Sequence, residues 1–247
     1  MPAAVSPFSK GRRSRLGLVR GNGFVLRIRD FAESDLIVTL FAERLGKRTA
    51  IAKGARRLDS RLGGVFDLLN QVEVVFYQRS GLDLVSQGTL LEGFLKLKSD
   101  MDTVSAALSV GSLLDRLLSL HQPEGQAYAL FGSFLRLLEN GLPAGGLRFS
   151  VMLKLLTLLG HRPRFGACIR CGEKEGPFVF VSRRGGVLCQ KCSHGEGTQI
   201  SRGLALTLDF LLRLPLERTG VIHLTLEEEH LAAEVVGGYV RHLALSP

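Results

Sequence analysis

This 247-residue chain has four cysteines, and they fall as two Cys-x-x-Cys pairs, Cys168-Ile-Arg-Cys171 and Cys189-Gln-Lys-Cys192. With 17 residues between the pairs, the spacing reads as one tetrahedral metal site rather than as scattered thiols. Two intervening residues let a single tight turn aim both sulfurs of a pair at one ion. Gly172, directly after the first pair, suits the positive φ that such a knuckle commonly needs. Phe178-Val-Phe-Val-Ser182 and Val187-Leu188 flank Arg183-Arg184-Gly185-Gly186, which reads as a β-hairpin and its turn. Two knuckles closed by a hairpin make a ribbon spanning about residues 166–196. Four thiolates fill all four positions around a Zn2+ ion, so the expected metal is one structural zinc per chain, with no position left for water or substrate. The competing reading is a pair of redox dithiols or disulfides. No thioredoxin-like βαβ pattern precedes either pair, and a basic chain without a secretion signal disfavours disulfides. His194, near the second knuckle, is not needed as a ligand.

Charge is the second constraint. The net charge is +9, and all of the excess lies between Met1 and Arg61, where fourteen Lys and Arg face five Asp and Glu. The remaining residues carry eighteen of each sign. A polyanion is the natural partner of such a segment. Residues 1–15 end in Lys10-Gly-Arg12-Arg13-Ser-Arg15 and read as a basic arm, a candidate for contact with a nucleic-acid polyanion. The first twenty residues lack the apolar stretch of a signal peptide, and no uninterrupted apolar run is long enough for a membrane span. A bacterial-type cytoplasmic protein is expected.

From residue 16 the pattern is that of strands. Leu18-Val19, Phe24 to Arg29, Leu36 to Phe41, Arg48 to Lys53, Gln71 to Tyr77 and Asp83 to Gly88 are short and often alternate in polarity, with turn signals between them. Such a series over residues 16–94 predicts an oligonucleotide-binding (OB) barrel. Beyond Phe94 the period changes to three and four. Helices are expected through Val104 to Leu118 (with Ser99 or Asp100 as N-cap and Pro123 and Gly125 as its end), over 127–139, 147–159 and 203–214, and over 228–245. The fold class is thus α+β: a barrel domain at 16–94, then a helical domain at 95–247 into which the ribbon is inserted.

No catalytic constellation accompanies these elements. Gly46-Lys47-Arg48-Thr49 lacks the spacing of a phosphate-binding loop, and Arg20-Gly21-Asn22-Gly23 precedes a strand rather than a helix. Glu33 and Asp35 read as salt-bridge partners of a basic strand. No enzyme and no nucleotide cofactor are expected. Arg27 and Arg29 share one face of their strand, Lys53, Arg56, Arg57 and Arg61 crowd the loop that follows the third strand, and Lys47 and Arg48 lie in the turn before it. Together they predict one basic groove that binds phosphates without reading sequence. Aromatics for base stacking are few; Phe24, Phe31, Phe41 and Phe66 are the candidates. A charge pattern alone does not separate DNA from RNA, so an RNA-binding OB protein with a structural zinc ribbon is the alternative.

Phe24-Val-Leu-Arg-Ile-Arg-Asp30-Phe-Ala-Glu33-Ser34-Asp35, Thr39-Leu-Phe41, Gly46-Lys47 and Ala52-Lys53-Gly54-Ala55-Arg56-Arg57 with Ser60-Arg61-Leu62 resemble the start of the bacterial recombination mediator family RecO. The stretch Leu158-Leu159-Gly160-His161-Arg162-Pro163 followed by the two cysteine pairs is also similar to that family. The resemblance implies a role in DNA repair without catalytic turnover. It implies binding of single- and double-stranded DNA, annealing of complementary strands and, with RecR, help in loading RecA onto strands coated by single-strand-binding protein. Carried over by position, it implies DNA contact by Lys53, Arg56, Arg57 and Arg61, and by Arg27 and Arg29. It also implies metal ligation by Cys168, Cys171, Cys189 and Cys192. For the acidic, apolar C-terminal tail of single-strand-binding protein it implies an arginine-rimmed groove on the helical domain, for which Arg116, Arg136 and Arg148 are the candidates.

Overall fold

The computed structural model describes residues 17–245. The basic-arm residues Lys10, Arg12, Arg13 and Arg15 lie outside that range. Strands β1 (Leu18–Phe31), β2 (Asp35–Ala42), β3 (Gly46–Ala52), β4 (Gln71–Tyr77) and β5 (Asp83–Glu92) close into a barrel in the order β1-β2-β3-β5-β4. Closure comes from β5, which runs antiparallel to β4 and parallel to β3. This is the expected OB barrel. One difference is that β1 runs unbroken through Arg20-Gly21-Asn22-Gly23, residues expected to precede the strand. The first half of β1 pairs with β4 and the second half with β2, so the strand must bend across the barrel corner. Glycine serves that corner: a Cβ at Gly23 would lie 3.1 Å from the Phe41 carbonyl oxygen.

Inside the barrel pack Val25, Val38, Leu40, Ala50, Ala52, Val72, Val74 and Phe76, the alternate positions of their strands. A register shift between Val25 and Arg27 breaks that alternation. As a result Phe24, Leu26, Arg27 and Arg29 all stand on the outer face of β1. Its apolar part does not meet water. Phe24 and Phe41 pack against Tyr128 and Phe131, with ring centroids 4.8 to 5.6 Å apart. The outer face of β1 and β2 therefore joins the helices in one core, distinct from the barrel interior. Phe24, Phe41 and Phe66 are buried in it or in the barrel, which removes them as stacking platforms and leaves only Phe31, 43% exposed.

The helical part comprises α1 (Leu95–Ser99), α2 (Met101–Leu117), α3 (Gly125–Glu139) and α4 (Ala144–Leu158), followed after the ribbon by α6 (Arg202–Leu211) and α7 (Leu226–Leu245). Asp100 caps α2 by accepting from the Thr103 N–H at 2.9 Å, as its position predicts. Thr225 and Glu228 form a reciprocal capping box at α7. Helix α4 is apolar nearly all round and sits at the centre, packed against α2, α3, α6 and α7. Helix α2 ends at Leu117, well short of Pro123, because the segment after it turns to meet the barrel: His121 donates its N–H to the Lys47 carbonyl at 3.0 Å.

The ribbon holds β6 (Phe178–Val181), β7 (Gly186–Cys189) and the short α5 (Gln190–Ser193). A third strand, β8 (Thr198–Ile200), pairs with β6 beyond residue 196. Phe165 stacks on Phe180 with 5.3 Å between centroids, Tyr239 meets Phe180 edge-on at 5.7 Å, and together they seat the hairpin on α7. No described helix is long and apolar enough to cross a membrane.

Candidate nucleic-acid interface and metal centre

The pleat decides which cations reach the outer face. In β3, Arg48, Ala50 and Ala52 point inward while Lys47, Thr49 and Ile51 point outward. The groove expected to include Arg48 therefore needs correction. Its guanidinium lies inside the barrel, 5.2 Å from the Phe76 ring centroid, and its Nε and Nη2 donate to Asp83 Oδ2 at 2.9 and 2.6 Å. A charge that deep persists only with its partner.

Lys47 and Arg27 do face outward, but at the junction with α2. Arg27 Nε is 3.2 Å and Lys47 Nζ 3.8 Å from the Asp115 carboxylate, and Lys47 also donates to the Asp115 carbonyl at 2.5 Å. Burial pulls the Lys47 pKa below its ordinary value, Asp115 opposes that fall, and Arg27 adds to it.

Toward the tip of the β1–β2 hairpin the picture changes. Register places Arg27 beside Thr39 and Thr49, and Arg29 beside half-exposed Ile37 and Ile51, on one outer surface across β1, β2 and β3. Lys53 follows β3, and the loop after it folds back onto the hairpin. The Gly54 N–H donates to Asp35 Oδ1 at 2.8 Å, the Arg56 N–H donates to the Ser34 carbonyl at 2.9 Å, and the Arg56 guanidinium pairs with Asp30 at 3.2 Å. The carboxylates near the tip thus act differently from the expectation: Asp35 caps backbone, Glu33 offers its carbonyl, and the ion pair belongs to Asp30. Arg29, Lys53, Arg57 and Arg61 are exposed and make no ion pair among the described residues. Sequence reasoning missed Ile37, Thr49 and Ile51 as parts of this surface; Thr39, between them in register, is buried. The alternation of β3 held the signal, since Ala50 and Ala52 mark its inward side.

At the ribbon, the four cysteine sulfurs lie within 4.8 Å of one another, and Cys171 and Cys189 are 3.7 Å apart. A disulfide requires about 2.05 Å, whereas tetrahedral thiolates about 2.3 Å from one ion sit about 3.8 Å apart. The spacing fits a metal. Gly172 adopts φ 81° at the first knuckle as expected. Burial disfavours the Cys168 thiolate, but N–H groups of Cys171, Cys189 and Arg170 aimed at its sulfur outweigh that and bring its pKa to about 6. A hydrogen bond with Cys189, burial and the crowding of the other sulfurs push Cys192 up to about 12. A cation among the four sulfurs relieves that conflict. His194 is exposed, its ring 3.4 Å from Arg170, and takes no part.

Between α2, α4 and α7 runs an apolar groove of about 240 Å³ lined by Leu113, Phe149, Met152 and Val240 and edged by Arg116, Arg148 and Arg241. Arg148 stacks over Phe149 at 4.5 Å, reaches Glu229 at 3.7 Å, and has a buried Nε with no hydrogen-bond partner. Arg136 is elsewhere, 3.9 Å from Glu92 on the barrel side of α3. Arg241, on a different element, was not recognisable from sequence.

The comparisons with known proteins agree with this layout. The family model for the recombination protein O N terminal matches residues 16–94, and that for the recombination protein O C terminal matches residues 98–246. The DNA repair protein RecO of Symbiobacterium thermophilum is 34% identical over 227 residues, covering 89% of this chain and 88% of that protein. The DNA repair protein RecO of Anaeromyxobacter sp. (strain K) is 35% identical over 203 residues (79% and 78%), and that of Oceanobacillus iheyensis 29% over 220 residues (88% and 85%). With both halves matched and relatives alike along most of their length, this chain belongs to the RecO family of DNA repair and recombination proteins.

Proposed function

We propose that this protein is a non-catalytic recombination mediator. It binds single- and double-stranded DNA on the barrel, anneals complementary strands and, with RecR, helps load RecA onto strands coated by single-strand-binding protein. The observation that carries this reading is the set of unpaired cations Arg29, Lys53, Arg57 and Arg61 around the hairpin tip, beside exposed Phe31 and half-exposed Ile37 and Ile51. Annealing requires two phosphate chains to approach, and a multivalent basic surface lowers their repulsion through counterion release. Arg56, already held by Asp30, contributes by fixing the loop and presenting its remaining N–H groups. Residues 16–94 would then be the DNA-binding unit and 95–247 the unit for partners.

The groove edged by Arg116 and Arg148 suits an acidic, apolar peptide such as the tail of single-strand-binding protein, since the unpartnered Arg148 Nε lacks an acceptor. The ribbon would hold one structural Zn2+ on Cys168, Cys171, Cys189 and Cys192; when bound it cross-links the two knuckles and leaves no open coordination position. A Cys189→Ser variant is expected to lose the metal, measured by atomic emission on the purified chain, and to unfold the ribbon while sparing the barrel.

The deciding experiment is annealing of complementary DNA strands precoated with single-strand-binding protein, without nucleotide. Fast annealing that fades as salt rises supports the mediator. Binding to bare strands with no annealing on coated ones overturns it, and a preference for RNA in competition would move the protein to RNA binding.

A further inference from the structure

The loop between β3 and β4 carries one side chain that its fold does not use. Leu58 is fully exposed, whereas the other apolar residues of the same loop pack inward, Ala55, Leu62, Val65 and Phe66 onto the barrel core and Leu68 and Leu69 onto the core shared with the helices. The loop is not loosely built. Successive turns tie it together: the Arg57 N–H donates to the Gly54 carbonyl, the Ser60 N–H to the Arg57 carbonyl and the Gly63 N–H to the Ser60 carbonyl, each at 3.1 Å. Ser60 Oγ also accepts from the Leu62 N–H. Single exposed leucines are ordinary on protein surfaces. This one differs in standing on an ordered loop with Arg57 and Arg61 beside it, both exposed and unpaired among the described residues.

We propose that Leu58 is a wedge that inserts between neighbouring bases of a bound strand. The inference rests on the reading that this loop binds DNA. Phosphates held by Arg57 and Arg61 bring the edge of the base stack to the leucine, and an apolar side chain gains by entering a stack whose faces are themselves apolar. Phosphate contacts alone leave the bases stacked on one another. A wedge separates one step and exposes the base edges, which a strand searching for its complement requires.

The test uses the full-length chain and a single-stranded oligonucleotide containing 2-aminopurine, whose fluorescence rises when it unstacks. The chain with Leu58 intact is expected to raise the signal several-fold on saturation. Leu58→Ala and Leu58→Ser should lose most of that rise, slow annealing, keep the thermal midpoint, and keep the slope of log affinity against log salt. A full fluorescence rise in Leu58→Ala, or none with Leu58 present, overturns the wedge. Arg57→Ala with Arg61→Ala tests the underlying reading separately: an unchanged salt slope there rejects the loop as a phosphate contact whatever Leu58 does.

Discussion

The two ends of the barrel's outer surface hold similar cations and treat them in opposite ways. Near the helices, Arg27 and Lys47 share Asp115, and Arg48, one residue along, is inside the barrel against Asp83. Around the hairpin tip, Arg29, Lys53, Arg57 and Arg61 form no ion pair among the described residues. The difference lies in desolvation. Side-chain exposure is 8% for Arg48 and 13% for Lys47, so burying either charge is costly unless a partner offsets the lost hydration. The tip cations are solvated, cost nothing to leave unpaired, and remain available to a phosphate. Positive charge is paired with carboxylates at one end and solvated and unpaired at the other.

That contrast can be broken by substitution, and the effects on folding should fall off in order. Arg48→Ala should be the most damaging, because it strands the Asp83 carboxylate at 2% exposure. A loss of about 3–5 kcal/mol in urea unfolding is expected, while the folded fraction keeps its salt slope for DNA. Unchanged stability with weakened DNA binding would show that Arg48 belongs with the tip cations after all.

Asp115→Ala should cost about 1–3 kcal/mol by leaving Lys47 without its carboxylate. The deficit should also depend on pH. Burial already lowers the Lys47 pKa in the folded state, and removing Asp115 lowers it further. The unfolded chain then binds more protons than the folded one at alkaline pH, so stability rises with pH through that range. The gap between the variant and the unaltered protein should therefore narrow as pH approaches about 10. A gap that stays constant would mean that Asp115 acts through shape alone.

Arg57→Ala with Arg61→Ala should leave stability within about 0.5 kcal/mol. Its effect should show on DNA, where each lost phosphate contact flattens the single-strand salt slope by about 0.7. If unfolding is as impaired as in Asp115→Ala, the tip cations are structural too and the contrast disappears.

Much of this was legible before any coordinates. The strand pattern from Leu18 to Gly88 foretold the barrel, because alternation and turn residues are local properties. The cap at Asp100 and the knuckle glycine at 172 followed from the same local rules. The candidate interface was readable only in part. Four aromatics are candidate stacking platforms, and three of them are buried: Phe24 and Phe41 because the outer face of β1 and β2 is also the seat of the helices, and Phe66 because it packs into the barrel interior. Arg116 and Arg148 meet at one groove while Arg136 does not, because helix crossing, not spacing along the chain, decides which arginines converge.

By itself, the sequence determined where strands and helices form, that two cysteine pairs converge on one metal-sized site, and that positive charge concentrates in the first quarter of the chain. Spacing, periodicity and composition act over a few residues, so they survive without knowledge of the fold. Only the tertiary structure decided which of those charges are free. The carboxylates that neutralise Arg48 and Lys47 lie 35 and 68 residues away along the chain, and a one-residue step in β3 separates an inward arginine from an outward lysine. Pairing and burial are set by what the folded chain brings alongside, and a charge count cannot see that.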